Sequence, residues 1–410
     1  MKICYITLGF TPAVKLGGPV SNAYHLTRAL AQRGHEVSVW CGNLADKSTK
    51  LFEGTRRSRY EAVEVVYFDT YKLFPVGAGS FGVYAWPDLA SFCRRELRGF
   101  DVVHLDGYRD YPTLTASYFC RKWFVPYVLQ ARGTMRAAFN SFVAKRIYDK
   151  LLGKAILAGC NRFVASSGRE AEDYAAFVQD RSRIIKIYNG VSRDEFADIP
   201  PRGEFRKRLG LSDQLIIAYL GRLHPAKGID VLMRAFAGAG WPQGARLVII
   251  GPDEGFRGSL TALSVELGIQ EAVIFVDALR GRDKLSAYAD SDLVVYAGQS
   301  ESFGMVPIES LMCGTPVVIS EACGCREVIE GFKSAHVVPY GDVGALIAEI
   351  ERTALRGQVA RAGAEEAREA LSRLLSWESI CEQYENAYLR AGGDAPTITF
   401  HTEPSARAVF

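Results

Sequence analysis

The sequence predicts an α/β protein built from two doubly wound domains in tandem that face each other across a cleft. Three observations lead there. Short β-branched or aromatic runs alternate with helical stretches from end to end, the pattern of strands joined by crossover helices in parallel sheets. Near the middle, Asn189-Gly190-Val191 and Asp198-Ile199-Pro200-Pro201-Arg202-Gly203 form a Pro/Gly cluster that continues neither helix nor strand and reads as an interdomain linker. Beyond it the alternation restarts at Leu215.

In the first half, strands are expected at Ile3–Gly9, Glu36–Cys41, Val63–Asp69, Asp101–Leu105, Pro126–Ala131, Arg162–Ala165 and Arg183–Ile187. In the second half they are expected at Leu215–Gly221, Arg246–Gly251, Ala272–Val276, Leu293–Tyr296, Pro316–Ile319 and Ala335–Val338. These runs are almost continuously apolar, as strands covered on both faces must be. A last helix, Ser376–Leu389, carries Trp377, Ile380, Tyr384 and Tyr388 as an apolar stripe, and beyond Arg390 a loose tail is expected. The expected domains are 1–192 and 193–376, with a closing helix at 377–391 and a tail at 392–410. Ligands of doubly wound sheets bind at the carboxyl ends of the strands, so the cleft between two such sheets is where chemistry is expected.

A chain of 410 residues is long for one core and comfortable for two. Its start, Met1-Lys2-Ile3-Cys4-Tyr5-Ile6, reads as a buried first strand and not as a signal peptide. No apolar stretch is long enough to span a bilayer. Nine scattered cysteines fit a reducing compartment, and a cytoplasmic protein is expected. The net charge of +3 hides an asymmetry: residues 1–190 carry about 27 Lys+Arg against about 16 Asp+Glu, so the rest of the chain is acidic. The basic half suits an anionic lipid surface or a phosphorylated acceptor. Nucleic acid is not expected, because no binding module and no basic-aromatic interleaving is present.

The most informative segment is Ser300-Glu301-Ser302-Phe303-Gly304-Met305-Val306-Pro307-Ile308-Glu309-Ser310. It follows a strand, turns at Gly304 and enters a helix near Pro307, which suits a first helical turn. Backbone amides from Gly304 to Val306 then form an anion site for a diphosphate. Glu301 and Glu309 are placed to accept hydrogen bonds from sugar hydroxyls; both also fit as solvated partners of the helix dipole. A second segment, Gly221-Arg222-Leu223-His224-Pro225-Ala226-Lys227-Gly228, places Arg222 and Lys227 at the end of a strand, where fixed cations neutralise a departing diphosphate. Gly17-Gly18, after the first strand, lets backbone approach a phosphate, or is a bare turn. No metal set is expected. Asp290-Ser291-Asp292 reads as a helix-to-strand turn, and Cys323-Gly324-Cys325 has no second pair or His cluster.

In order and spacing, these segments resemble the family 4 glycosyltransferases of GT-B fold. The resemblance runs to about residue 391. Besides Gly17-Gly18, Gly221-Arg222 with Lys227-Gly228, and Glu301 to Glu309, it is carried by Gly34-His35-Glu36-Val37, Asp101-Val102-Val103-His104, Asn189-Gly190-Val191, Gly314-Thr315-Pro316-Val317-Val318, Gly324 with Glu327, and Ser376-Trp377-Glu378. The resemblance implies two Rossmann-like domains and a final helix crossing back onto the first. It implies a retaining, metal-independent transfer from a nucleotide-diphosphate sugar, with no further cofactor. Arg222 and Lys227 would hold the diphosphate, Glu309 the ribose, and Glu301 with Phe303, Gly304, Met305 and Val306 the donor sugar and phosphate.

One departure stands out. Many relatives read His-x-His at the end of the fourth strand, whereas this chain reads His104-Leu105-Asp106. Asp106 could bind a donor hydroxyl, orient an acceptor, accept its proton, mark a changed donor, or mark an impaired enzyme. His104 and Arg132 are further candidates on the acceptor side, with a packed His104 and a solvated Arg132 as the alternatives. Lys145, Arg146, Lys150 and Lys154 punctuate an apolar segment containing Phe142, Val143, Ile147, Leu151 and Leu152, which fits an anionic membrane surface or a core-facing helix. A glycan or lipid-linked glycan acceptor follows from the membrane reading. Two rivals stay open: another enzyme on this scaffold, such as a nucleotide-sugar epimerase, and a non-catalytic binding protein.

Overall fold

The computed structural model describes residues 1–46, 48–74, 83–135, 142–241, 244–354 and 357–393. The tail expected beyond Arg390 lies outside the described residues from 394 on. Among the described residues, ten strands precede the linker: β1 (Lys2–Thr7), β2 (Glu36–Gly42), β3 (Arg56–Tyr60), β4 (Val63–Phe68), β5 (Tyr71–Phe74), β6 (Val83–Ala85), β7 (Val102–Asp106), β8 (Tyr127–Gln130), β9 (Arg162–Ala165) and β10 (Ile184–Lys186). Eight of them form one sheet in the order β10-β9-β8-β7-β1-β2-β4-β3, parallel except for the edge strand β3. β5 and β6 pair separately as an antiparallel hairpin.

Six strands follow the linker among the described residues: β11 (Ile216–Leu220), β12 (Arg246–Ile250), β13 (Val273–Val276), β14 (Leu293–Tyr296), β15 (Val317–Ser320) and β16 (Ala335–Val338). Their order, β13-β12-β11-β14-β15-β16, is all parallel. This is the 3-2-1-4-5-6 winding of a dinucleotide-type sheet, whose direction reverses between its first and fourth strands. The loops after β11 and β14 therefore open on the crevice at that switch point. They are the two loops that carry Arg222/Lys227 and Glu301.

The thirteen expected strands are present, and β3, β5 and β6 are additional. The central strands are buried on both faces: β11, β14 and β15 have no exposed residue. The closing helix Trp377–Gly392 packs Ile380, Cys381, Tyr384, Ala387 and Tyr388 onto the first sheet, among Ile3, Tyr5, Val39 and Val128. The two chain crossings lie side by side, with the Val191 amide donating to the Leu375 carbonyl at 2.7 Å. Trp377 stacks on His25 at 5.6 Å, and Glu385 binds Arg33 and His35.

Candidate functional site

The turn that makes the site follows β14. At Gly304 the backbone has φ +95°, and a Cβ there would lie 2.5 Å from Cys323 Sγ; a side chain is excluded twice over. This turn starts the helix Met305–Met312, whose first-turn amides have no intrahelical acceptor. Phe303 is buried and meets Tyr188 of the first domain, ring centroids 5.9 Å apart. Glu309, one turn further on, is gripped by Lys284 Nζ at 2.9 Å and the Tyr288 hydroxyl at 2.7 Å.

Lys227 ends the short turn Pro225–Lys227, and its Nζ meets Glu301 Oε2 at 2.5 Å. The Tyr296 hydroxyl donates to the same oxygen at 2.7 Å. Burial alone would raise the Glu301 carboxyl, but the Lys227 charge and these hydrogen bonds outweigh it and hold it below its ordinary range. Glu301 is thus an anion on one side of the cleft, and Lys227 keeps further N–H donors beyond the one it gives to Glu301. Arg222 is half exposed at its side chain, 50%, and pairs with Glu254 at 2.6 Å.

Arg222, Lys227 and Glu301 line a polar cavity of about 170 Å³ between the two domains. Arg222, Lys227, Ser300, Glu301 and Ser302 form the second-domain wall; Arg132, Gly133, Arg169, Glu170 and Asp173 form the first-domain wall. Sites that enclose a whole drug-sized ligand measure roughly 300–1,000 Å³, so this cavity encloses only part of a nucleotide sugar. Four sequence candidates, Arg132, Arg222, Lys227 and Glu301, come together here. Gly17, Gly18, His104, Asp106, Phe303, Gly304, Met305, Val306 and Glu309 are not part of its lining. Gly17 has φ +97° and starts the helix Gly18–Gln32. Arg169 and Asp173, on the helix Gly168–Ala175, carry no sequence signal that marks them.

Asp106 is wholly enclosed, its side chain 0% exposed. Arg132 Nε donates to its Oδ1 at 2.6 Å, while the Tyr5 and Thr7 hydroxyls donate to Oδ2 at 3.0 and 3.2 Å. Arg132 also donates to Asn22, Asn189 and Tyr5 and adopts φ +52°. Of the openings considered for these two residues, a solvated Arg132 does not occur: it is the centre of a buried polar knot. His104 is buried too, stacked on Tyr5 at 4.4 Å and bonded through Nδ1 to the Tyr388 hydroxyl at 2.9 Å. Burial pushes its imidazole down to about 3.

The Asp290-Ser291-Asp292 carboxylates are engaged in structure. Asp290 accepts from the amides of Gly203, Phe205 and Arg206, and Asp292 from Arg202, Arg206 and the Ile216 amide. The Cys323 and Cys325 sulfurs lie 3.4 Å apart. Among the described residues, no group of three or more His, Cys, Asp or Glu is placed to hold a metal ion.

The family model described as Glycosyltransferase Family 4 matches residues 16–195, and the one described as Glycosyl transferases group 1 matches residues 201–370. The chain belongs to the family 4 glycosyltransferases. A D-inositol 3-phosphate glycosyltransferase of Xylanimonas cellulosilytica is 28% identical over 404 residues, covering 92% of this chain and 92% of that protein. Solved structures of GT-B proteins share the fold. Sucrose-phosphate synthase from Thermosynechococcus elongatus has a TM-score of 0.74 at 21% identity, over 96% of this chain and 100% of that one. Anabaena HepE in complex with UDP-glucose has a TM-score of 0.69 at 18% identity, over 94% and 98%. The two parallel sheets facing a cleft are thus the GT-B fold of family 4.

Proposed function

We propose that this chain moves a hexosyl group from a UDP- or GDP-sugar to a hydroxyl of a glycan or lipid-linked glycan, with retention and without a metal ion, in surface-polysaccharide synthesis. The observation that carries the reading is the convergence of Lys227, Arg222 and Glu301 on a polar cleft beside the start of the helix Met305–Met312. As the bond between the anomeric carbon and the diphosphate breaks, negative charge grows on the phosphate. Lys227, Arg222 and the first-turn amides are positioned to stabilise it. The acceptor oxygen bonds to the anomeric carbon from the same face, and its proton passes to the departing phosphate. Glu301 holds a donor-sugar hydroxyl and Glu309 the ribose. The UDP-glucose bound to HepE supports a UDP-sugar as the first donor to try.

The membrane side of the reading rests on the segment 142–159. Ile147 is 53% and Leu151 70% exposed, beside Lys150 and Lys154; the side chains of Phe142 and Val143 lie outside the described residues. Outward apolar residues among lysines fit peripheral contact with an anionic bilayer at its cytoplasmic face. No described helix is long and apolar enough to cross a membrane. A panel of nucleotide sugars in chelator-containing buffer, scored by thermal shift and by slow release of free nucleotide, tests the donor and metal assignments together. One stabilising, slowly cleaved donor is the expected result; stabilisation without cleavage would favour a non-catalytic binder.

A further inference from the structure

Outside the cavity, the start of the helix Gly168–Ala175 is pinned to the second domain. The Gly168 amide donates to Glu327 Oε1 at 2.6 Å, and Lys186 Nζ donates to Glu327 Oε2 at 2.7 Å. Next to them, Arg169 Nη1 donates to the Ala322 carbonyl at 2.8 Å. One carboxylate of the second domain therefore grips two groups of the first, one on a helix and one at the end of β10. The first-turn amides of that helix favour an anion, and Glu327 is only partly exposed, at 30%.

Both ends of this contact lead to the cavity walls. Glu327 lies on the short helix Arg326–Ile329, after the turn Cys323-Gly324-Cys325. That turn is laced to the donor loop: the Gly324 amide donates to the Glu301 carbonyl at 3.0 Å, and the Cys325 amide to the Phe303 carbonyl at 2.5 Å. On the other side, Lys186 Nζ stands 5.2 Å from the Tyr188 ring, which meets Phe303. The helix that Glu327 holds carries Arg169, Glu170 and Asp173 into the cavity, and Glu170 receives the Gly133 amide at 2.5 Å.

We propose that Glu327 is the positioning residue that sets closure of the cleft. By joining Gly168 and Lys186 to the loop that supports Glu301 and Phe303, it presses the Arg169–Asp173 wall against the Ser300–Ser302 wall. The role rests on the reading of this cleft as the transfer site. Neither partner of Glu327 touches the cavity, so its effect reaches the reaction through the walls it brings together. Closure of this kind assembles groups from both domains and excludes water.

The full chain is tested as wild type, Glu327→Gln and Glu327→Ala. Glu327→Gln keeps an acceptor for the Gly168 amide and removes the charge facing Lys186; Glu327→Ala removes both. The closed-to-open ratio should fall at least about tenfold in Glu327→Ala and by less in Glu327→Gln, in line with loss of one charge-assisted hydrogen bond and one partly exposed ion pair. Small-angle scattering without nucleotide should show a larger radius of gyration for the alanine variant. UDP affinity should stay within about twofold, because the donor loop is intact, while turnover of UDP-glucose to UDP falls about tenfold. A radius of gyration equal to wild type in Glu327→Ala overturns the proposal. So does loss of UDP affinity in step with turnover, since that would mean general damage to the second domain. If wild type neither binds nor cleaves the UDP compounds, the donor reading fails, and the scattering comparison still decides closure.

Discussion

Replacing Asp106 by alanine separates two roles that the sequence leaves open. If the residue serves only the knot around Arg132, its loss strands a guanidinium among neutral partners: Asn22, Asn189 and Tyr5. The Arg132 side chain is only 14% exposed, and burial opposes its charge, which the Asp106 carboxylate restores. Removing one partner of such a buried pair costs about 3–5 kcal/mol. For a domain of this size each kcal/mol lowers the melting temperature by roughly 2–4 °C, so Asp106→Ala should melt roughly 6–20 °C below wild type. Replacing both charges, Asp106→Leu with Arg132→Met, removes the stranded cation and should recover most of that loss. Scanning calorimetry of the three proteins, beside UDP-glucose turnover, gives the answer. If Asp106→Ala melted within about 2 °C of wild type but lost turnover by roughly 10²–10⁴, Asp106 would be the proton acceptor and the structural reasoning would fail.

Three further outcomes are expected. Lys227→Ala should lower kcat by roughly 10²–10³, and undiminished turnover would remove Lys227 from the diphosphate site. Gly304→Ala places a methyl 2.5 Å from Cys323 Sγ at φ +95°; a loss of about 1–3 kcal/mol together with weaker UDP binding is expected, and a neutral result would mean the turn has another shape. His104 is held down at about 3, mainly by burial, against about 6.5 in the unfolded chain. The unfolded state therefore binds the proton first as pH falls, so stability is full above about pH 6.5 and falls towards pH 3, by about 2 kcal/mol at pH 5. His104→Gln should flatten that slope in urea titrations at pH 7 and 5. Asp110, raised to about 6 by burial, acts with the opposite sign but is common to both proteins, so equal slopes would refute the assignment.

What the sequence reveals here depends on whether a residue's surroundings are local. β11, β14 and β15 are legible because strands buried on both faces must be apolar along their whole length. β3 is not, because Arg56-Arg57-Ser58-Arg59-Tyr60 is an edge strand whose charges keep other chains from pairing with it. Arg222, Lys227 and Glu301 can be picked out because each sits where a strand runs into a helix, and such turns at a switch point face the crevice whatever else the chain does. Asp106 lies on an equally clear strand end, yet its role could not be read. Its partner Arg132 is 26 residues away, and the amides that complete the knot, Asn22 and Asn189, are 110 and 57 residues from Arg132. A carboxylate at a cleft and a carboxylate paired in a core look alike until the fold brings a cation to one of them. Asp290 and Asp292 make the same point in reverse: an Asp-x-Asp with the spacing of a metal motif is spent on the amides and guanidiniums that tie the linker beneath the second sheet. Glu327 belongs to the same class. Its motif could be seen in the chain, but its partners Gly168 and Lys186 are 159 and 141 residues away, on the other domain.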